Sequence, residues 1–312
     1  MSTWLVTGGC GFIGSHLVEA LLAQGDHVRV LDDLSTGRRE NVPAAAEIVV
    51  GDVADVKVVQ QCMTGVDGCF HLAAVASVQR SNEAWVETHR SNLTGTVAVL
   101  DAARSARKGG KVPVVYASSA AVYGDAERMP IAESAPIKPL TAYGADKAGS
   151  ELHARVAWAV HGIPTCGFRF FNVYGPRQDP KSPYSGVIAI FADHIARDET
   201  ISIFGDGKQV RDFVYVKDVV RHLTAAMAAP RPDAPVFNVC TGIATSIVEL
   251  AEIIGRIAGR APRITFGKPR PGDIHTSVGD PRRARELLGV SADTRVADGL
   301  ALTLNAAAQA PV

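Results

Sequence analysis

Thr7-Gly8-Gly9-Cys10-Gly11-Phe12-Ile13-Gly14-Ser15-His16 is the stretch that decides the fold. It comes after a short apolar run, Trp4 to Thr7, and opens a helical pattern, Phe12 to Gln24, so Gly8, Gly11 and Gly14 occupy a strand-to-helix turn. Backbone N–H groups at such a helix start can receive a pyrophosphate, provided no Cβ blocks the approach. The plainer reading of a glycine triplet is a tight turn and nothing more. The residues downstream separate the two. The second strand, His27 to Leu31, ends at Asp32, 18 residues beyond Gly14, where a carboxylate can bind both hydroxyls of an adenine ribose. That carboxylate would repel a 2′-phosphate, which favours NAD over NADP. Arg38 and Arg39 weigh the other way, unless they are simply a solvated turn. Asp52, after the third strand, either holds the adenine amino group or caps a helix.

Working outward, Glu47 to Val50, Cys69 to Leu72, Val112 to Ala117 and Thr165 to Phe168 are further strands, continuous in apolar residues as burial on both faces requires. Helical patterns lie between them: Asp55 to Met63, Trp85 to Arg107 and Tyr143 to His161. This alternation predicts an α/β fold, a doubly wound parallel (Rossmann) sheet. After Asn172 the chain passes into Gly- and Pro-rich connections, and a second region begins. It is ordered: Ser246-Ile-Val-Glu249 is a capping box, and Asp280-Pro281 places an N-cap before a first-turn proline, with Gly289 as the stop. Asp212 to Val216 and Val236 to Val239 look like strands that return to the main sheet. The expected division is therefore residues 1–170 plus about 212–240 as the NAD-binding domain, and about 171–211 plus 241–312 as a smaller, discontinuous α/β substrate domain. Ala306 to Val312 is expected to fray.

Composition bounds the partners. The 312 residues carry 32 basic and 32 acidic side chains, leaving no net field to hold nucleic acid or an anionic membrane. No apolar run approaches the roughly 20 residues of a membrane span, and the first residues lack a secretory pattern, so a cytoplasmic location is expected. The five cysteines are widely spaced without a C-x-x-C pair, so they read as reduced core thiols, and no metal site is expected.

Tyr143 and Lys147 stand at i and i+4, on one face of a helix. Ser118 and Ser119 close the fifth strand, at the carboxyl edge where ligands bind in such sheets. Together they point to chemistry at an alcohol carbon. A phenol with pKa of about 10 is a poor base near neutrality, but positive charge on Lys147 and on an oxidised nicotinamide is expected to lower it.

The chain resembles the extended short-chain dehydrogenase/reductase superfamily over nearly its whole length. Besides the glycine loop, the motifs are Leu31-Asp-Asp-Leu34, Gly51-Asp52, His71-Leu-Ala-Ala74, Asn92-Leu-Thr-Gly-Thr96, Ser118-Ser-Ala-Ala-Val-Tyr-Gly124, Tyr143-Gly-Ala-Asp-Lys147 and Arg169-Phe-Phe-Asn-Val-Tyr-Gly175. Downstream, Gly205 to Val216 and Arg270-Pro-Gly-Asp273 are similar to the substrate signatures of nucleotide-sugar epimerases and dehydratases. The resemblance implies Ser119, Tyr143 and Lys147 as the catalytic set, with Ser119 on the sugar 4-oxygen and Lys147 also on the nicotinamide ribose. It implies that Gly8, Gly11, Phe12, Ile13, Gly14, Asp32, Asp33, Asp52, Val53, Leu72, Ala73, Ala74, Asn92 and Phe170 join Tyr143 and Lys147 around NAD. For substrate it implies Ser118, Ser119, Asn172, Val187, Arg211, Arg270, Asp273 and Ser277, with Asn172, Arg211 and Arg270 on the diphosphate and Asp273 on a ribose.

Family dehydratases carry a carboxylate just after the catalytic hydroxyl, and Ser119-Ala-Ala-Val-Tyr123 has none, so the implied activity is that of the UDP-hexose 4-epimerases. Ser277 falls where epimerases restricted to plain hexoses carry a bulky Tyr. With the stretch from Gln178 to Ile188, it resembles the N-acetylhexosamine-active branch, implying UDP-GlcNAc/UDP-GalNAc together with UDP-Glc/UDP-Gal. The alternatives are a 4,6-dehydratase, a UDP-glucuronate epimerase and, more remotely, a non-catalytic dinucleotide-binding sensor. Helices over Trp85 to Val99 and Ala142 to Val160 are apolar beyond one stripe, and the family resemblance implies a homodimer built on them.

Overall fold

The computed structural model describes residues 1–106, 110–178, 186–269 and 274–309. Strands β1 (Thr3–Thr7), β2 (His27–Asp32) and β3 (Glu47–Val50) alternate with α1 (Phe12–Ala23) and precede α2 (Val56–Met63) and β4 (Gly68–His71). Next come α3 (Val78–Glu83), α4 (Trp85–His89), α5 (Gly95–Ala103), β5 (Val114–Ser119), α6 (Ala142–His161), β6 (Thr165–Phe170) and β7 (Asn172–Tyr174). The remainder comprises α7 (Val187–Ala196), β8 (Ile201–Phe204), β9 (Val210–Arg211), β10 (Phe213–Tyr215), α8 (Val216–Ala228), β11 (Val236–Val239), β12 (Thr245–Ser246), α9 (Ile247–Ile257), β13 (Ile264–Gly267), β14 (Thr276–Ser277), α10 (Arg282–Leu288) and α11 (Val296–Gln309).

A seven-stranded parallel sheet in the order β3-β2-β1-β4-β5-β6-β11 forms the centre of a Rossmann-like α/β fold. Strand residues alternate between two cores, as the period of two demands. Val6, Val30, Phe70 and Val115 pack with Leu17, Val18, Val219 and Leu223 of α1 and α8. Their neighbours Leu5, Leu31, Cys69 and Val114 pack instead with Val59, Met63, Val99 and Ala103 of α2 and α5. All five cysteines are buried and unpaired. A third core gathers α7, α9, β8 and Leu300.

Several expectations change. The helix expected from Trp85 to Arg107 is broken in register: a π-helical segment, Arg90–Thr94, joins α4 to α5, which ends at Ala103. β5 begins at Val114 because Pro113 has no N–H to give a ladder. β11 joins the main sheet beside β6, but the segment from Asp212 to Val216 does not; its strand β10 pairs with β7 in a separate two-stranded sheet. The capping box at Ser246 and Glu249 forms in full. Pro281 occupies the N-cap position of α10, while Asp280 still accepts the Arg282 N–H at 3.0 Å. α11 runs to Gln309, so the segment expected to fray is helical up to there; residues 310–312 lie outside the described ones.

Candidate active site

The carboxyl end of β1 sets the first half of the site. Gly8 has φ +71° and packs so tightly against the backbone of Leu72 and Ala73 that a Cβ would come within 2.7 Å of the Ala73 nitrogen. A Cβ on Gly14 would collide with the Gly8 carbonyl oxygen, so helix and loop are pressed together. Gly11, by contrast, has only the Gly8 oxygen at 3.3 Å. It is the N-cap of α1, with no side-chain cap hydrogen bond, which leaves a cradle that a pyrophosphate fits.

Asp32, at the end of β2, is bound by the backbone around it. Its Oδ2 accepts the Cys10 N–H and its Oδ1 the Leu34 N–H, both at 2.9 Å, tying the glycine loop to the acidic strand end. Burial pushes this carboxyl above its ordinary range and the two amide bonds pull it back. Each carboxylate oxygen keeps further acceptor capacity for a ribose hydroxyl. Asp33 is exposed and bonds Ser35, its Oδ1 accepting from both N–H and hydroxyl. Asp52 is not the helix cap: Asp55 caps α2, while Asp52 accepts the Ala54 N–H at 2.8 Å and pairs with Arg90. Val53 is buried at its side.

Leu72, Ala73 and Ala74 come after β4 and are held from below. Leu72 N–H donates to the Thr7 carbonyl and Ala73 N–H to Thr7 Oγ1. Thr7 Oγ1 also meets His71 Nδ1 at 2.8 Å, and His71 Nε2 meets Thr96 Oγ1 at 3.0 Å. Asn92 grips Val75 from both sides: its Oδ1 accepts the Val75 N–H at 2.8 Å and its Nδ2 donates to the Val75 carbonyl at 3.3 Å. Asn92 holds this loop from within the π-helical segment, a geometry for which the sequence carries no periodic signal.

The second half comes from β5 and α6. Thr141 caps α6 through the Gly144 N–H, and Ser81 accepts the Tyr143 N–H at 3.2 Å. Ser119 is near enough to the Tyr143 phenol to oppose its upward shift, and Lys147 Nζ lies 5.8 Å from the Tyr143 ring centre while donating to the Ala117 carbonyl at 2.9 Å. Ser119, Tyr143 and Lys147 are therefore one cluster. Burial drives the Tyr143 phenol above its ordinary value, opposed by Ser119. Burial likewise pushes the Lys147 ammonium down to about 8.

Ser118 requires a correction. It is 1% exposed and its hydroxyl donates to Glu151 Oε1 at 2.5 Å, inside a buried network with Arg169 and Tyr123. Successive strand residues point to opposite faces, so Ser119 faces the cluster and Ser118 the core. Phe170 is buried in the core at the end of β6.

Of the expected substrate residues, Asn172 is exposed on β7 and Val187 opens α7. Arg211 and Ser277 are register partners on β9 and β14, and Arg211 donates to the carbonyls of Val210 and His275. Arg270 and Asp273, with most of the Gln178 to Ile188 stretch, lie outside the described residues. A cavity of about 670 Å³ adjoins His275 and is lined also by Gln209, Phe266, Gly267 and Pro269. Gln209 donates its Nε2 to the Phe204 carbonyl at 2.6 Å, leaving its buried Oε1 without a partner. Among the described residues no cluster of metal ligands occurs.

A dinucleotide cradle beside a Ser-Tyr-Lys cluster defines an NAD-dependent enzyme of the short-chain dehydrogenase/reductase kind. Residues 4–240 match the NAD dependent epimerase/dehydratase family, and the chain belongs to it. It is 39% identical over 307 residues to a UDP-glucose 4-epimerase of Mycolicibacterium smegmatis, covering 96% of each chain. Two solved structures superpose with a TM-score of 0.93. One is the Thermotoga maritima UDP-glucose 4-epimerase with UDP-glucose, 34% identical, covering 98% of this chain and 99% of that one. The other is the UDP-N-acetylglucosamine 4-epimerase of Methanobrevibacter ruminantium in complex with UDP-N-acetylmuramic acid, 32% identical, covering 98% of each.

Proposed function

We propose that the protein is an NAD-dependent 4-epimerase of UDP-sugars that inverts C4 through a 4-keto intermediate and acts on UDP-GlcNAc/UDP-GalNAc as well as UDP-Glc/UDP-Gal. The observation that carries this is the Ser119–Tyr143–Lys147 cluster beside the Gly8–Gly14 cradle, in a chain similar over its full length to 4-epimerases. The glycine loop, Asp32 and Lys147 hold NAD, whose chemistry is reversible two-electron oxidation at C4. Ser119 orients the sugar 4-hydroxyl, and Tyr143 takes its proton and later returns one to the 4-oxygen. Lys147 holds positive charge below the developing phenolate. With Ala120, Ala121 and Val122 after Ser119, the chain offers no carboxylate there for eliminating water.

Arg211 holds the diphosphate with Asn172 and Arg270, Asp273 a ribose, and the cavity beside Gln209 the nucleotide end. The small Ser277, beside Arg211, leaves space for a 2-acetamido group. Residues 1–170 plus α8 and β11 serve the cofactor, and the remainder, β10 included, the sugar nucleotide.

No helix among the described residues is long and apolar enough to cross a membrane. We place the enzyme in the cytoplasm, consistent with five unpaired thiols, and as a homodimer. Trp85, Val86, Leu152, Val156 and Val160 are exposed on α4 and α6 at 64, 84, 64, 51 and 68%, apolar area that a second copy would cover. Sedimentation of a monomer at micromolar concentration would reject the dimer.

Incubating the purified protein with UDP-Glc, UDP-GlcNAc and UDP-GlcA, without added NAD, tests the activity. Formation of the 4-epimers of the first two is expected. A 4-keto-6-deoxy product would mark a dehydratase, and turnover of UDP-GlcA alone a uronate epimerase.

A further inference from the structure

The chain passes from one small sheet to another at a single residue. Asp212 stands between β9, in the three-stranded sheet with β12 and β14, and β10, which pairs with β7. Its N–H donates to the Ser277 carbonyl and its carbonyl accepts the Asn172 N–H, both at 3.0 Å. Arg211 precedes it in the chain. Asn172, Arg211 and Ser277, assigned above to the diphosphate and the gate, are therefore each joined directly to Asp212 by a peptide or a hydrogen bond.

The side chain ties in two further segments. Asp212 is 0% exposed. Its Oδ1 accepts the Thr241 N–H at 2.8 Å and the Thr241 hydroxyl at 2.7 Å, and its Oδ2 accepts the N–H groups of Gly242 at 2.9 Å and Gly279 at 3.3 Å. Thr241 and Gly242 come just after β11 of the main sheet, and Gly279 just after β14. A Cβ on Gly279 would come within 2.6 Å of Cys240 Sγ and 2.7 Å of the Phe171 ring, so this segment can close on the carboxylate only as glycine. A buried carboxylate is costly unless donors surround it, and here each oxygen receives two. The epimerase chemistry leaves Asp212 unused, yet it holds both small sheets, the end of β11 and the strand of Ser277 at fixed spacing.

We propose that Asp212 is a positioning residue of the sugar-nucleotide site: a buried carboxylate that fixes Arg211, Asn172 and Ser277 relative to one another and so sets the grip on the diphosphate. This rests on the assignment of those three residues to the substrate. Asp212→Asn is the direct test, because an amide keeps one acceptor oxygen for Thr241 and turns a donor toward the N–H groups of Gly242 and Gly279. Thr241→Val is milder: it removes the hydroxyl, which also accepts the Ile243 N–H at 3.0 Å, and leaves the three N–H bonds to Asp212, while Thr241→Ser restores the hydroxyl. The readouts are the affinity of the NAD-loaded enzyme for UDP alone by calorimetry, kcat and KM for UDP-Glc, and the NAD retained on dialysis without any sugar.

UDP affinity should fall about 10- to 100-fold in Asp212→Asn, the scale of loss that a misplacement of about 1 Å produces. KM for UDP-Glc should rise by the same factor with kcat little changed, the pattern of lost ground-state binding. Thr241→Val should move the same way by less, Thr241→Ser should match the parent, and NAD should be retained throughout. Parental UDP affinity and KM in folded Asp212→Asn, or in Thr241→Val should the first variant fail to fold, overturns the proposal. So does a loss of NAD alongside UDP, the mark of a merely structural residue. A parent enzyme that does not bind UDP would instead overturn the sugar-nucleotide assignment beneath the proposal, so the two failures separate.

Discussion

Asp32→Ala removes two contributions at once, and their sizes differ enough to be told apart. In the folded protein the carboxylate accepts two backbone N–H groups, from Cys10 and Leu34, at 2.9 Å each. Hydrogen bonds to a charged acceptor contribute about 1.5–3 kcal/mol each, but water reaches the partly exposed Leu34 side, so a stability loss of about 2–4 kcal/mol is expected. Two ribose hydroxyl bonds to the same carboxylate contribute a further ~3–6 kcal/mol to NAD binding, which corresponds to roughly 10²- to 10⁴-fold in affinity. Urea unfolding reads the first quantity, and NAD content of the purified variant followed by titration with added NAD reads the second. A variant that loses stability yet binds NAD within about threefold of the parent would show that Asp32 is a loop tether alone, and would refute its assignment to the ribose.

Tyr143→Phe should lower kcat/KM for UDP-Glc and UDP-GlcNAc together by roughly 10²–10⁴-fold while NAD is retained, since only the proton carrier is lost. Ser277→Tyr should discriminate instead, cutting UDP-GlcNAc relative to UDP-Glc by on the order of 5- to 150-fold through a clash with the acetamido group; equal losses would remove residue 277 as the gate. Glu151→Gln breaks a bidentate pair whose side chains are 5 and 6% exposed and leaves Arg169 buried without its counter-charge, so unfolding free energy should drop by about 3–5 kcal/mol by denaturant titration. His71 is neutral when folded, and its pKa of about 3 lies below the ordinary 6.5. Below pH 6.5 the unfolded chain takes up a proton that the folded one refuses, so its contribution lowers stability by up to about 1.4 kcal/mol per pH unit as pH falls toward 3. Unfolding midpoints from pH 7 to about 4.5 should show a shallower decline in His71→Asn.

The sheet and its cofactor loop were legible in the sequence because they depend on local terms. Glycine spacing after Thr7, apolar runs such as Thr165 to Phe168 and the i, i+4 pairing of Tyr143 with Lys147 each arise from backbone geometry within a few residues. The capping box at Ser246 is likewise a short-range exchange of hydrogen bonds between neighbours. Tertiary structure decided whatever depends on which face a residue meets or how much water remains. The alternation of β5 sends Ser118 to Glu151 and Ser119 to Tyr143, a distinction that adjacent serines do not carry in their letters. β10 chose β7 over the main sheet, a matter of long-range pairing. Burial raises the Tyr143 phenol, a contribution absent from the letters because desolvation is a sum over every surrounding atom and not over the nearest charge. For the same reason Asp146 reads as an ordinary helix residue in sequence, and only packing against α4 puts one of its oxygens on His89 and seals the other from water.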